Sequence, residues 1–132
     1  MSQANVEVIR DQFEAVNERD WERAMGHYAE DVELVVSREA LMDGGTFSGR
    51  EAVGEWFGNW FRTFEPGYHF DSLELHDLGD RVLLIASHHG RGRSSGVEVS
   101  GETGYIYTLG DGKIVRAEIV TPEAARAAAG LE

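Results

Sequence analysis

A chain of 132 residues without cysteine rules out disulfides, thiolate zinc sites and iron–sulfur clusters, and is long enough to bury one core unaided. Twelve basic residues against twenty-four acidic ones, a formal net charge of −12, argue against sequence-independent binding to nucleic acid or anionic membranes, which needs a cationic footprint. No apolar run approaches the roughly 18 residues of a membrane span, and MSQANVEVIRDQ has no leader pattern, so one cytoplasmic domain over 1–132 is expected.

Val6, Ile9, Phe13 and Val16 recur at helical spacing and predict an amphipathic helix over 5–19. Asp20 is a cap for a second, short helix with Trp21, Ala24, Met25 and Tyr28 on one face; Trp21 and Tyr28 are expected in the core. DVELVVS alternates Val32, Leu34 and Val36 with polar neighbours and reads as a strand, followed by a loop or broken edge strand, REALMDGGTF. Ser48 and Glu51 have capping-box spacing. Behind them Val53, Trp56, Phe57, Trp60, Phe61 and Phe64 form a wide apolar stripe that stops at Glu65-Pro66-Gly67. Strands are expected at 68–77, 81–93, 97–109 and 113–120, with turns at Gly79-Asp80, Ser95-Gly96 and Asp111-Gly112. Thr121-Pro122 starts a last helix and Gly130 ends it. Helices first and a meander of strands later is the α+β pattern, with a helical layer on one face of a curved antiparallel sheet.

The stretch ASHHGRGRSSGVEVSGETG, 86–104, holds the densest polar chemistry. A two-residue turn at Ser95-Gly96 would set His89 opposite Glu102, Arg91 opposite Ser100 and Ser87 opposite Gly104. His88 and His89 then point to opposite faces and cannot share a metal; no metal and no cofactor is expected. A carboxylate facing an imidazole orients it and fixes its tautomer, which suits proton transfer; the same row of charges is equally at home on a solvated hairpin end. The other face gathers Val82, Leu84, Tyr105, Tyr107 and Leu109, an apolar surface that a second subunit is expected to cover. His27, His69 and His76 have no metal-ligand spacing and read as surface or structural groups; Glu118 reads as solvent- or interface-facing.

With this element order, YAEDVEL (28–34), FSGREAVGEWF (47–57), DGKIVRAEIV (111–120) and EAARAAAGL (123–131), the chain resembles the nuclear-transport-factor-two-like superfamily, and within it the SnoaL-like, ketosteroid-isomerase-related branch. The resemblance implies a cone: a bent sheet wrapped around three helices of the N-terminal half, plus a short C-terminal helix, enclosing a pocket, with homodimers packed through the outer sheet face. It also implies a reading of the pocket. The positions of the steroid isomerase tyrosine, base and second aspartate fall on Gln12, Val36 and Gly104, so that mechanism is not expected here. His89 becomes the acid–base, Glu102 its orienter or partner base and Arg91 a pole for an anionic group, with Gln12, Phe13, Tyr28, Trp56, Trp60, Ser87 and Ile106 lining the pocket. The function expected is binding of a small apolar molecule, with lyase, isomerase or cyclase action on a carbonyl or polycyclic compound. A non-catalytic ligand-binding or protein-interaction domain of the same fold is the alternative.

Overall fold

Helix α1 (Ser2–Asn17) buries Val6, Ile9, Phe13 and Val16, the face its periodicity marks. A computed structural model describes residues 2–41 and 44–130. Helix α2 (Trp21–Met25) starts where Asp20 accepts a hydrogen bond from the Arg23 backbone N–H at 3.2 Å. Asp11 ties the two helices together: it receives Arg23 Nη2 at 2.6 Å and faces His27 Nε2 at 2.7 Å. The Arg23 hydrogen bond, then that of His27, holds the Asp11 carboxyl down at about 2.

The strands are β1 (Tyr28–Val36), β2 (Gly45–Ser48), β3 (His69–Asp77), β4 (Arg81–Arg91), β5 (Glu98–Gly110) and β6 (Lys113–Val120), with α3 (Arg50–Arg62) between β2 and β3 and α4 (Pro122–Ala128) at the end. They form one sheet in the order β2-β1-β6-β5-β4-β3. All pairs are antiparallel except β1 with β6, which is parallel because the last strand of the meander returns beside β1. Tyr28, expected on the α2 face, opens β1 instead and is fully buried. Residues 42–43 of the expected loop lie outside the described residues.

Three local expectations are corrected. Ser48 does not cap α3: it ends β2, and the cap position is Gly49, at φ +93 with no side-chain hydrogen bond. Trp21 is not core but 38% exposed, its ring set edge-on to Phe61 at 5.1 Å. The β4–β5 turn is not Ser95-Gly96 alone. Two-residue hairpin turns need a positive φ at their first central residue, and Ser95 has none, while Gly96 does. The chain instead closes with Gly92 N–H on Val97 O at 2.9 Å, leaving residues 93–96 as the loop. The register shifts accordingly: His89 lies opposite Ser100, and Ser87 opposite Glu102. Asp111 and Gly112, at φ 52 and 78, do form the two-residue turn read from the sequence.

The shift is an even one, so the sorting of side chains into two faces survives. What covers each face is the reverse of the expectation. Val82, Leu84, Tyr105, Tyr107 and Leu109 form the inner face and share a core with Val6, Ile9 and Phe13 of α1 and Val53 and Phe61 of α3. The chain's own helices therefore cover the surface that had called for a second subunit. On the outer face Leu83, Ile85 and Ile106 make a smaller cluster with Ala125 of α4. Thr121 caps α4 by accepting from Ala124 N–H at 3.1 Å. Among the described residues no helix is long and apolar enough to cross a membrane.

The α4 contact depends on a missing side chain. A Cβ at Gly104 would stand 2.8 Å from both Ala125 Cβ and Thr121 O. Gly104→Ala should therefore lift α4 from β5 and cost about 1–3 kcal/mol by chemical denaturation, whereas Gly110→Ala, whose nearest neighbour is a Val115 methyl at 3.5 Å, is expected to leave that contact intact.

Candidate functional site

The inner face carries its polar groups at one end of the cone. Phe64 leads into a turn, Glu65-Pro66-Gly67-Tyr68, closed by Tyr68 N–H on Glu65 O at 3.1 Å. Pro66 at the second position suits such a turn. The Tyr68 ring then lies across β4. It stacks on Phe64 at 4.2 Å and meets Phe61 edge-on at 5.3 Å. Gly90 lies beneath it, where a Cβ would come within 2.6 Å of the ring and 3.0 Å of the Tyr68 Cα. Arg19 grips the same segment from the α1–α2 turn, donating to Pro66 O at 3.0 Å and to Tyr68 O.

So placed, the Tyr68 hydroxyl joins a hydrogen-bond chain. Trp60 Nε1–H donates to it at 3.1 Å, and it meets His88 Nδ1 at 3.1 Å. Indole can only donate. Burial pushes the Tyr68 phenol up to about 12, so it keeps its proton. Burial first, and then the neighbouring charge of His89, lowers the His88 imidazole, so it is neutral at pH 7. The arrangement that pairs both the Tyr68 proton and His88 Nδ1 has Tyr68 O–H donating to His88 Nδ1, which leaves the histidine proton on Nε2. That nitrogen lies over Gly101, where an added Cβ would come within 3.3 Å.

Tyr68 also lines a small internal cavity of about 10 Å³, with Leu41, Trp56, Phe57, Trp60, Phe70, Thr103, Tyr105 and Ile119. That is room for about one water. Trp56 and Trp60 stack in parallel beside it, 5.8 Å between centroids, and both stay partly exposed. Deeper in the cone Gln12, 3% exposed, donates to the Tyr28 hydroxyl at 3.2 Å, and its carbonyl oxygen has no partner among the described residues. Phe13 packs edge-on against Tyr105 at 5.3 Å. Burial raises the Tyr28, Tyr105 and Tyr107 phenols, all neutral donors.

The residues proposed from sequence are thus divided. Trp56 and Trp60 line the cavity, with Gln12, Phe13 and Tyr28 behind it. His89, Glu102, Ser87, Arg91 and Ile106 are on the outer face. His89 and Glu102 do not face one another, because the four-residue loop sets the register. His89 Nε2 contacts Asp71 Oδ1 at 3.2 Å, and its ring stacks on His69 at 5.7 Å. Arg91 donates to Gly96 O at 3.0 Å and stands 3.9 Å from Glu98. His69, His89 and Arg91 line an open surface groove of about 430 Å³. Ile106 lies under α4. Gly104, the position matched to the isomerases' second aspartate, also faces α4; Thr103 is the neighbour that reaches the cavity. Sequence reasoning missed Tyr68, His88 and Thr103 as site residues. The signal for His88 was present, since its parity sets it with Tyr105 and Tyr107.

The SnoaL-like domain family matches residues 9–117 of the chain. No curated protein matches it. Among solved structures, the chain is similar to TerC co-crystallized with polyporic acid, at 23% identity over 95% of this chain and 96% of that one, with a TM-score of 0.77. It is similar to a candidate polyketide cyclase from Xanthomonas campestris pv. campestris, at 20% identity over 92% and 93%, TM-score 0.79. A protein with a ketosteroid isomerase-like fold from Catenulispora acidiphila, in complex with trimethylamine, aligns at 18% identity over 96% and 94%, TM-score 0.74.

Gly90→Ala should push Tyr68 off β4, costing about 1–3 kcal/mol of stability and returning the His88 titration toward its ordinary value. In the wild type, NMR should show His88 titrating below the ordinary histidine value of about 6.5. Its contribution to stability should be level above about 6.5 and decline below, as the unfolded chain takes up the proton first. With the cone, the sheet order and the family match in place, the chain belongs to the SnoaL-like domain family.

Proposed function

We propose that the cone binds a small, flat, mostly apolar carbonyl compound, and that the chain acts on it as a cyclase, isomerase or lyase by moving a proton through Tyr68 and His88. The observation that carries this reading is the hydrogen-bond chain Trp60–Tyr68–His88 ending at an aromatic cavity. Without ligand, Tyr68 donates to His88. A ligand carbonyl entering the cavity competes for that proton. When Tyr68 donates to the carbonyl instead, His88 gives its Nε2 proton to water, takes one from water at Nδ1 and donates that proton to the Tyr68 oxygen. The phenol then accepts from Trp60 and His88 together, and both bonds stabilise the phenolate that forms if the proton is passed on. The cost of losing a proton from a group at about 12 is thus lowered at the moment of transfer. Names of similar proteins, a polyketide cyclase candidate and TerC with polyporic acid, support the substrate class.

Binding requires the lining to move, since about 10 Å³ holds no organic ligand. Trp56 is the side chain placed to do so, being partly exposed, while Trp60 stays hydrogen-bonded to Tyr68. The site lies in one chain. A homodimer through the outer sheet face and a cytoplasmic location belong to the same proposal on family likeness; the outer surface offered is the ladder of Glu33, Arg116 and Glu118.

A thermal-shift screen with flat carbonyl compounds tests the reading. A hit at 100 times its Kd should stabilise the fold by about 2.7 kcal/mol. Tyr68→Phe should weaken carbonyl hits about tenfold while sparing the matching hydrocarbons. Equal affinity in both proteins would remove Tyr68 from the site. Solvent deuterium entering the bound carbonyl compound would separate catalysis from binding alone.

A further inference from the structure

Arg19, Arg62 and Arg93 come from the α1–α2 turn, the end of α3 and the β4–β5 loop, yet all three line one groove of about 260 Å³ with Trp21, Phe61 and Phe64. Carbonyl groups fix them there. Arg19, in the left-handed region at φ 62, is held by Pro66 and Tyr68. Arg93 Nε donates to Arg62 O at 3.1 Å. Arg62 folds back over Gly58, where an added Cβ would meet its Nη1 at 3.3 Å, and donates to Asn59 Oδ1.

Carbonyl dipoles orient guanidiniums but do not neutralise them. Arg10, Arg23, Arg91, Arg116 and Arg126 each stand within ion-pair reach of a carboxylate. Among the described residues Arg19, Arg62 and Arg93 do not, and neither do Arg38, Arg50 and Arg81; what sets the first three apart is that they share one groove, although acidic residues outnumber basic ones twenty-four to twelve in this chain. Glu65 is the carboxylate on the groove's lining, and it forms no ion pair with them. Gathering like charges is unfavourable unless something of opposite sign compensates them. The aromatic wall is the second part of the arrangement. Trp21 is 38% exposed, and Arg19 lies 4.9 Å over the face of Phe61.

We propose that this groove binds a small planar anion, its ring against Trp21 and its phosphate or carboxylate held by Arg62 and Arg93. Arginine suits that task because its planar fork pairs with either group through two hydrogen bonds. The groove is below the roughly 300–1,000 Å³ of drug-sized sites, which limits the occupant to one or two rings. The chain's overall negative charge opposes approach from afar, but screening over about 8 Å at physiological salt leaves the local arginines dominant at contact.

The test uses the full chain with Trp56→Phe and Trp60→Phe, so that Trp21 is the sole tryptophan of the three in the sequence. Its fluorescence is titrated at low salt with 1-naphthyl phosphate, 1-naphthoate and uncharged 1-naphthol. An anion should bind about tenfold or more tightly than naphthol, and Arg62→Gln with Arg93→Gln should remove that advantage. The stronger of the two anions identifies phosphate or carboxylate as the group recognised. Naphthol binding as well as both anions, no Trp21 response to any of them, or an anion affinity untouched in a folded Arg62→Gln/Arg93→Gln variant would overturn the proposal.

Discussion

Tyr68 can cross β4 only because residue 90 has no side chain. Every feature of the site follows from that contact. A Cβ at position 90 would overlap the ring at 2.6 Å. Without it, the ring settles between Phe64 and the strand, and its hydroxyl is carried to the place where Trp60 donates and His88 accepts. The turn that delivers Tyr68 is fixed by Pro66 and gripped by Arg19, so the α1–α2 junction is part of the support of the site. The apolar cone interior then does the electrostatic work: it keeps the phenol protonated and the imidazole neutral, the pair of states from which one proton can move in either direction.

The same economy explains α4. A helix of seven residues has little stability of its own. It is retained by the Thr121 cap, by Pro122 at its start, and by the backbone approach that Gly104 permits. It covers the apolar part of the outer face, Leu83, Ile85 and Ile106. What remains of that face is polar, with Arg116 between Glu33 and Glu118. Inner and outer surfaces of one sheet therefore differ in chemistry: aromatic rings and phenols within, charged ladders and imidazole–carboxylate pairs without.

Much of this was legible in the sequence, and the failures have definite causes. Periodicity located α1 and the aromatic stripe of α3, and the turn residues separated the four strands of the meander. Thr121-Pro122 marked α4 through local chemistry alone. The SnoaL-like likeness was carried by turn and helix-start phrases, which specify backbone geometry and not reactivity. The hairpin register was misread because Ser95-Gly96 resembles a two-residue turn, while the loop hydrogen bonds choose four residues. The greater error was one of sides. Alternation sorts side chains into two faces but says nothing of which face a helix covers, and that is decided by tertiary packing. His89, with its charged neighbours, drew attention; His88, with glycine, threonine and tyrosine around it, was the imidazole turned inward. Tyr68 could not be found by motif at all, since its role depends on Gly90, twenty-two residues later and across a strand pair.

His88, and not His89, is the imidazole joined to the cone through Tyr68. Nitrogen-15 NMR of the two imidazoles at neutral pH tests it most directly. His88 should be locked as a neutral ring with its proton on Nε2 and a hydrogen-bonded acceptor at Nδ1, in the protein and not in Tyr68→Phe. A His88 ring averaging between tautomers in the wild type, or one unaltered by loss of the Tyr68 hydroxyl, would contradict it.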